Sequence, residues 1–216
     1  MKNVEIKVVV LDWSGTVSDD RRCVWLANVA VLRMFGKPDM TFEEWLPRTT
    51  LTAAEILHNH GVNGHPEHLN RLYSQELARV KKDGVKPEVY LEAKDTLMEL
   101  SARGFGLAVL SSHPRTHLLV EAGDFGLAGL LSMLVGDSTD KAVDLAKIAI
   151  KMQVRKREIL YVGDTIFDIQ AAKKAGVASG AICQGYHTRD RLEAENPDFL
   201  FNSLREIPEV ISRVSA

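Results

Sequence analysis

Cysteine is scarce in this sequence of 216 residues, and its scarcity excludes two kinds of site. The two cysteines, Cys23 and Cys183, are far apart and belong to no Cys-x-x-Cys or Cys/His cluster. A disulfide framework and a structural zinc site are therefore not indicated. A reducing compartment suits both thiols.

An excess of one charge and a long hydrophobic run are also missing. The chain has 27 Lys and Arg against 29 Asp and Glu, for a formal net charge of -2, whereas a nucleic-acid-binding surface needs clustered positive charge. The apolar run near the N-terminus ends at Asp12 and is too short for a signal peptide or a membrane span. We therefore expect a cytoplasmic protein that binds neither nucleic acid nor a membrane.

Short apolar runs recur along the chain, and most of them end in Gly, Ser or Asp. They cover residues 6–12, 105–112, 130–137, 159–164 and 178–183. Nearly continuous apolar runs of this length are typical of strands that are buried on both faces of a parallel sheet. Amphipathic helical patterns lie between them, for example at 91–103 and 141–152. This alternation predicts an α/β fold with a Rossmann-like, doubly wound parallel sheet.

The segment between the first two predicted strands departs from this alternation. Helical spacing, punctuated by Gly and Pro, covers residues 21–36, 41–47, 52–61 and 66–84. We interpret this segment as an inserted all-helical cap at 19–87, with the core at 1–18 and 88–216. The hinges are expected near 17–20 and 84–87.

Polar residues at the ends of the predicted strands are the first candidates for a functional site, because sheets of this class bind ligands beyond the carboxyl ends of their strands. Asp12, Ser111 and Asp164 hold such positions. Gly15 and Thr16 follow Asp12 closely, and a glycine allows a tight turn that can direct amide N–H groups towards an anion. A carboxylate beside a bound anion indicates either that it attacks the anion or that a cation lies between them.

Four stretches of the sequence together resemble the motifs of the haloacid dehalogenase superfamily. These are "DWSGTV" from Asp12, "AVLSSH" around Ser111, "VGDSTDKAVDLAKIA" around Lys141, and "YVGDTIFDIQAAKKAG" around Asp164 and Asp168. The C-terminal part resembles the phosphoglycolate-phosphatase-like members, which carry a helical cap between the first and second motifs.

The resemblance implies a phosphatase, that is, a phosphoric monoester hydrolase, acting on a small phosphorylated metabolite. Asp12 would be the nucleophile that forms an aspartyl phosphate. Ser111 would bind the transferring phosphoryl group, and Lys141 would hold both the nucleophile and a phosphate oxygen. The cofactor would be Mg²⁺, and its predicted ligands are Asp12, the backbone carbonyl of Ser14, Asp164 and Asp168. Predicted substrate contacts are Gly15, Thr16, Ser112, Arg48 and Thr49. A monomer or a homodimer is expected.

Several of these residues have alternative interpretations. Ser111 and Ser112 could cap a helix that starts near Pro114, and Lys141 could be a solvated helix residue. Asp168 could lie behind the metal, could hold Lys141, or could be an acidic residue favoured at a helix N-terminus. Arg48 could be a surface residue. His113, His117 and Cys183 are interpreted as structural or surface residues.

Ser14 is the one departure from the resemblance, because the phosphatases of the superfamily have a second Asp there that protonates the leaving group and activates water. A serine hydroxyl does not titrate near neutral pH. The alternatives are a slow phosphatase or one for good leaving groups, a long-lived phosphoenzyme as in the P-type ATPases, a C–P hydrolase similar to phosphonoacetaldehyde hydrolase, and a catalytically impaired phospholigand-binding protein. C–P hydrolysis requires a cap lysine for a Schiff base, and residues 43–57 contain none.

Overall fold

The computed structural model of the protein describes residues 5–214. The chain forms two units: the first combines the chain up to Ser18 with the chain from Val89 onward, and the second is Asp19–Glu88. The ends of the predicted core, residues 1–4 and 215–216, lie outside the described residues. That the second unit acts as a cap stays a prediction.

The second unit is built from helices, as its sequence pattern predicts. These are α1 (Arg21–Met34), α2 (Phe42–Trp45), α3 (Ala53–Asn59) and α4 (Pro66–Lys82). Helices α2 and α3 each begin with a capping box, in which two side chains accept hydrogen bonds from each other's backbone N–H groups. The pairs are Thr41 with Glu44 and Thr52 with Glu55. No helix in residues 5–214 has the length and apolar character to cross a membrane.

The first unit is centred on a parallel sheet. In chain order the strands of the molecule are β1 (Val8–Leu11), β2 (Ser18–Asp19), β3 (Glu88–Val89), β4 (Gly106–Leu110), β5 (Met133–Val135), β6 (Ile159–Gly163), β7 (Ala178–Ile182) and β8 (Phe199–Phe201). The two-residue strands β2 and β3 contain the points where the chain passes between the units. The other six strands form one sheet in the order β5-β4-β1-β6-β7-β8, and every pair in it is parallel. The predicted Rossmann-like fold class is confirmed.

Helices cover both faces of this sheet. They are α5 (Ala93–Ala102), α6 (Arg115–Asp124), α7 (Lys141–Lys151), α8 (Ile166–Ala175), α9 (Arg189–Ala194) and α10 (Ile207–Val214). Successive side chains of a strand point to opposite faces, so Val8 and Val10 join the core on the side of α7 and α8. Val9 and Leu11 join the core on the side of α5 and α10. Because both faces of the sheet are covered, β1 is apolar throughout. The first polar residue after it is Asp12, immediately beyond the end of the strand.

Two details of the sheet differ from the sequence pattern. The apolar run at 130–137 contains a strand of only three residues, Met133–Val135, because a 3-10 turn at Ala128–Leu130 takes up its beginning. The edge strand β8 is also three residues long and was not predicted, because so short an apolar run has no resolvable periodicity.

Candidate active site

The loop after β1 is fixed by its own backbone. The carbonyl oxygen of Trp13 accepts hydrogen bonds from the amides of Thr16, Val17 and Ser18 at 3.2, 2.9 and 2.9 Å, and the amide of Asp12 donates to Val162 of β6 at 2.8 Å. These bonds close a tight turn immediately after Asp12. The carboxylate is therefore held at the carboxyl edge of the sheet.

The amides of Gly15 and Thr16 both donate hydrogen bonds within the turn. The amide of Gly15 donates to Ser18 O at 2.8 Å, and the amide of Thr16 donates to Trp13 O. Both N–H groups are used within the turn, because closing it in so few residues requires them. Gly15 has φ +76°, and a Cβ built there would lie 2.2 Å from Asp164 Oδ2. The glycine is thus needed for a left-handed backbone and for close approach to a carboxylate.

Three buried carboxylates meet at this edge of the sheet. Asp12, Asp164 and Asp168 each offer an oxygen, and these oxygens all lie within 4.8 Å of one another. Asp12 follows β1, whereas Asp164 and Asp168 come from the turn and the helix that follow the neighbouring strand β6. The parallel topology therefore brings together residues that are distant in the chain.

Asp164 is enclosed by backbone and by one hydroxyl group. Thr16 Oγ1 donates to its Oδ1 at 3.0 Å, and the amide of Tyr186 donates to its Oδ2 at 2.7 Å. A Cβ at Gly185 would also approach Oδ2 to 2.2 Å. Asp164 therefore lies in a cradle that admits no side chain at the two flanking glycines. The side chain of Thr16 contacts this carboxylate rather than an open substrate site.

Asp168 is the most completely hydrogen-bonded of the three carboxylates. Its Oδ1 accepts from Lys141 Nζ at 2.7 Å and from the Tyr161 hydroxyl at 2.9 Å. Its Oδ2 accepts from the amide and the hydroxyl of Thr165 at 3.1 and 2.6 Å. Among the alternatives for Asp168, this geometry favours a residue that holds Lys141.

Asp12 has fewer hydrogen-bond partners than Asp168. Its Oδ1 lies 3.1 Å from Lys141 Nζ, forming an ion pair. This oxygen is buried and accepts no hydrogen bond from the residues that the structure describes. Lys141 therefore bridges one fully bonded carboxylate and one that retains an open acceptor.

The pKa values of Asp12 and Asp168 differ in the same way as their hydrogen bonding. Burial raises the pKa of Asp12 to about 6, against the attraction of Lys141 and with some repulsion from Asp168. Burial also raises the pKa of Asp164 well above its ordinary value, and the charges of Asp168 and Asp12 add to this. For Asp168 burial acts in the same direction, but Lys141 and the donated hydrogen bonds outweigh it and lower its pKa. Burial would lower the pKa of Lys141, but Asp12 and Asp168 together raise it. Lys141 is accordingly a permanent positive charge.

The donor set suits a hard divalent cation. Mg²⁺ prefers carboxylate oxygens, and three buried carboxylates beside one lysine leave negative charge to be neutralised. The open Oδ1 of Asp12 and the cradled carboxylate of Asp164 are the acceptors that fit such an ion. Asp168 fits less well, because its oxygens already accept four hydrogen bonds.

The serines after β4 occupy different environments. Ser111 is buried, its amide donates to Val135 O at 2.9 Å, and its Oγ accepts from the amide of His113 at 3.2 Å. Ser112 is exposed. Neither serine caps α6, whose cap residue Pro114 makes no side-chain hydrogen bond. The structure thus places Ser111 at the edge that carries Asp12, and the capping interpretation is wrong.

The remaining predicted residues are Ser14, Arg48 and Thr49. Ser14 is half-buried in the turn after β1. In the helical unit, Arg48 is exposed at the end of the 3-10 helix Leu46–Arg48. Thr49 is buried, and its hydroxyl donates to Leu46 O at 2.9 Å. The hydroxyl of Thr49 is therefore used within its own unit, and a substrate contact through Arg48 stays a prediction.

The residues that orient the carboxylates, Tyr161, Thr165 and Tyr186, are not predicted from the sequence. Tyr161 offered a signal, because a tyrosine in an otherwise aliphatic buried strand needs a hydrogen-bond acceptor for its hydroxyl. Its ring also lies beneath Lys141, with Nζ 5.8 Å from the ring centroid. Tyr186 offered no signal, since its backbone amide makes the contact.

Comparisons with known proteins identify the family to which this fold and site belong. Residues 9–182 match the model of the family described as haloacid dehalogenase-like hydrolase, so the chain belongs to that family. It is 30% identical to a phosphoglycolate phosphatase of Vibrio vulnificus over 98% of both chains. It is 28% identical to that of Vibrio parahaemolyticus over 98% of this chain and 99% of the relative. The predicted enzyme class, a phosphatase of this superfamily, is confirmed.

Solved structures agree with the fold. The crystal structure of a predicted phosphoglycolate phosphatase from Haemophilus somnus matches with a TM-score of 0.80 and 20% identity, covering 95% of this chain and 98% of the other. That of a predicted phosphatase from Clostridium acetobutylicum matches with a TM-score of 0.81 and 18% identity, covering 96% and 99%.

Proposed function

We propose that the protein is a Mg²⁺-dependent phosphatase of small phosphorylated metabolites that acts through an aspartyl phosphate on Asp12. The observation that carries this proposal is the buried arrangement in which Lys141 Nζ lies 3.1 Å from Asp12 and 2.7 Å from Asp168. A lysine fixed by a saturated carboxylate keeps its positive charge beside a carboxylate with an open acceptor oxygen. Phosphoryl transfer needs little more from a protein than a positioned nucleophile and fixed positive charge.

The proposed reaction has two steps at phosphorus. An oxygen of Asp12 attacks the phosphorus, the ester P–O bond breaks, and the leaving oxygen takes up a proton. Water then attacks the phosphorus of the aspartyl phosphate, gives up a proton, and regenerates Asp12 with release of phosphate. Asp12 attacks as the carboxylate, and Lys141 draws it into that form.

The chain's other residues orient this centre. Mg²⁺ bound at Asp12 and Asp164 would neutralise the charge of the phosphoryl oxygens that face the carboxylates. Thr16 and the amide of Tyr186 hold Asp164. Ser111, buried at the end of the adjacent strand, would donate its hydroxyl to the phosphoryl group.

The proposed substrate is a small phosphomonoester that also carries a carboxylate, as phosphoglycolate does. Its support is the set of relatives named phosphoglycolate phosphatase, which match along nearly the whole chain. Arg48 is exposed and can bind a carboxylate with two parallel hydrogen bonds. The expected cytoplasmic location and the monomeric or homodimeric state stay predictions.

The test is phosphate release from 2-phosphoglycolate, with ethyl phosphate and acetyl phosphate for comparison, with and without Mg²⁺. Turnover should require Mg²⁺ and should fall by at least about 1,000-fold in Asp12→Asn, since the nucleophile is lost. The matched control is Asp190→Asn, because Asp190 is an exposed aspartate of α9 and its loss should leave turnover unchanged. Full activity in Asp12→Asn would exclude Asp12 as the nucleophile, and no release from any compound would exclude the hydrolase.

The substrate proposal has a separate test. Arg48→Lys keeps the charge but not the planar fork, so it should raise KM for 2-phosphoglycolate about tenfold and leave ethyl phosphate unaffected. An equal effect on both esters would contradict recognition of a carboxylate by Arg48.

A further inference from the structure

The proposed reaction leaves one requirement unmet at Ser14. The leaving oxygen must receive a proton and the attacking water must lose one, and a serine hydroxyl does neither near neutral pH. A histidine can do both, because imidazole gives and takes a proton near neutral pH. From the sequence His113 is interpreted as a structural residue, but its surroundings favour a role in proton transfer.

His113 is tied to the predicted phosphoryl-binding residue. Its amide donates to Ser111 Oγ at 3.2 Å, and its carbonyl accepts from the amide of Asp137 at 2.9 Å. The backbone of His113 is therefore fixed two residues beyond Ser111, at the edge of the sheet that carries Asp12. A proton-transfer residue needs this kind of fixed position.

The side chain of His113 faces Glu121 of α6. Its Nε2 lies 3.5 Å from Glu121 Oε1, and both side chains are only 13% exposed. The Nε2 atom is buried and makes no hydrogen bond with the residues that the structure describes. The ring of His117 packs edge-on against that of His113, with centroids 5.9 Å apart. A carboxylate beside an imidazole fixes the orientation of the ring.

Glu121 also reaches the loop that carries Ser14. Trp13 Nε1 donates to Glu121 Oε2 at 2.8 Å, and the indole stacks on Phe125, the residue after α6, with ring centroids 5.7 Å apart. Trp13 lies between Asp12 and Ser14 in the chain. Glu121 thus contacts both His113 and Trp13, the residue next to the proposed nucleophile.

We propose that His113, oriented by Glu121, performs the proton transfers for which Ser14 is unsuited. In the first step the protonated imidazole gives a proton to the oxygen released from phosphorus. In the second step the neutral imidazole takes a proton from the water that attacks the aspartyl phosphate, which returns His113 to its starting state. The inference rests on the proposed phosphatase function.

The first test compares leaving groups. Ethyl phosphate releases a strongly basic alkoxide that needs the proton, whereas p-nitrophenyl phosphate releases a stable phenolate that does not. The kcat/KM value includes the step in which the P–O bond breaks. His113→Gln should therefore lower kcat/KM about 100-fold for ethyl phosphate and much less for p-nitrophenyl phosphate. His117→Gln, which removes the neighbouring exposed histidine, is the matched control and should leave both values unchanged.

The second test is a rescue. If His113 replaces a missing acid, a carboxyl group at position 14 makes it dispensable. His113→Gln should then cost less than about threefold in a Ser14→Asp background, against about 100-fold in the wild type. A merely structural histidine would cost the same in both backgrounds. Glu121→Gln should reproduce part of the His113→Gln loss, with the same dependence on the leaving group.

The outcomes separate this inference from the function on which it rests. Equal losses for both esters in His113→Gln, or no rescue by Ser14→Asp, overturn the role of His113 while the Asp12-dependent phosphatase stands. Wild-type protein that releases no phosphate from any ester overturns the proposed function and this inference with it. Circular dichroism melting of each variant identifies a loss that is due to unfolding, which would also count against a specific role.

Discussion

The loop after β1 and the helix after β6 each hold a buried aspartate beside Lys141, but the two carboxylates have opposite surroundings. Asp168, beyond β6, accepts four hydrogen bonds from Lys141, Tyr161 and Thr165, and its pKa is lowered. Asp12, beyond β1, has an ion pair and a buried oxygen without a hydrogen bond, and its pKa is raised. Burial alone therefore does not decide the state of a carboxylate, because the donors around it do. Both oxygens of Asp168 accept hydrogen bonds, whereas Oδ1 of Asp12 does not.

Loss of the Asp168 charge should change the stability of the protein most. Asp168→Asn should destabilise the metal-free protein by about 3–5 kcal/mol, because it breaks a buried ion pair. It also turns an acceptor into an amide that faces one of the existing donors. Urea unfolding in the presence of a chelator measures the change. Asp12→Asn is the matched control, because it makes the same replacement in the other aspartate that contacts Lys141 Nζ.

Equal stability changes in Asp168→Asn and Asp12→Asn would contradict the difference between the two carboxylates. An Asp168→Asn variant as stable as the wild type would show that the four hydrogen bonds only compensate for burial. Equal destabilisation by both replacements would show that Lys141 depends on both partners to the same extent.

The second prediction is a gain in stability. Burial raises the pKa of Asp12 from 3.8 to about 6, so ionising it costs the folded, metal-free protein about 3 kcal/mol. Asparagine has no such cost. Asp12→Asn should therefore be more stable than the wild type by about 2–3 kcal/mol near pH 7.5.

The sign of the pH dependence follows from proton binding. Between about pH 4 and pH 6 the folded protein holds a proton on Asp12 that the unfolded chain has lost, so this carboxyl group makes stability fall as pH rises. The advantage of Asp12→Asn should vanish below about pH 4 and be complete above about pH 6. Unfolding of both proteins across this range without metal measures it, and a difference independent of pH would contradict the raised pKa. Mg²⁺ should reduce the difference at high pH, since it neutralises the same charge.

Whether the sequence predicts a contact of the site depends on the type of contact. The strands and their polar ends were predicted because burial on both faces of a sheet leaves a continuous apolar run, as in residues 6–11, that stops at Asp12. Parallel topology then brings Asp12, Ser111 and Asp164 to one edge. The catalytic roles assigned to them stay predictions.

The rest depends on distances that a sequence does not contain. The saturation of Asp168 comes from Tyr161, seven residues earlier, and Lys141, 27 residues earlier. The cradle of Asp164 comes from Gly15 and Gly185, which only the fold makes neighbours. The turn after β1 occupies the amides of Gly15 and Thr16, which the glycine pattern alone does not reveal.

Loss of a single hydrogen-bond donor to Asp168 should change stability least. The hydroxyl of Tyr161 donates to Asp168 Oδ1 at 2.9 Å and lies 3.4 Å from Leu110 O. Tyr161→Phe removes this donor, but Lys141 and Thr165 remain to hold the charge. The loss should be about 1.5 kcal/mol, the lower end for a hydrogen bond to a charged group.

A double-mutant cycle shows whether that energy belongs to the pair. In an Asp168→Asn background Tyr161→Phe should cost less, because the charged acceptor is already gone, and the coupling between the two positions should be about 1 kcal/mol. Tyr90→Phe is the control, since its hydroxyl donates to a neutral acceptor, Gln184 O, at 3.0 Å, and it should show no coupling to Asp168. Coupling at both tyrosines would mean that Asp168→Asn disturbs the whole unit. Coupling at neither would mean that the Tyr161 hydroxyl is held by Leu110, and the pKa of Asp168 would then be lowered by Lys141 and Thr165 alone.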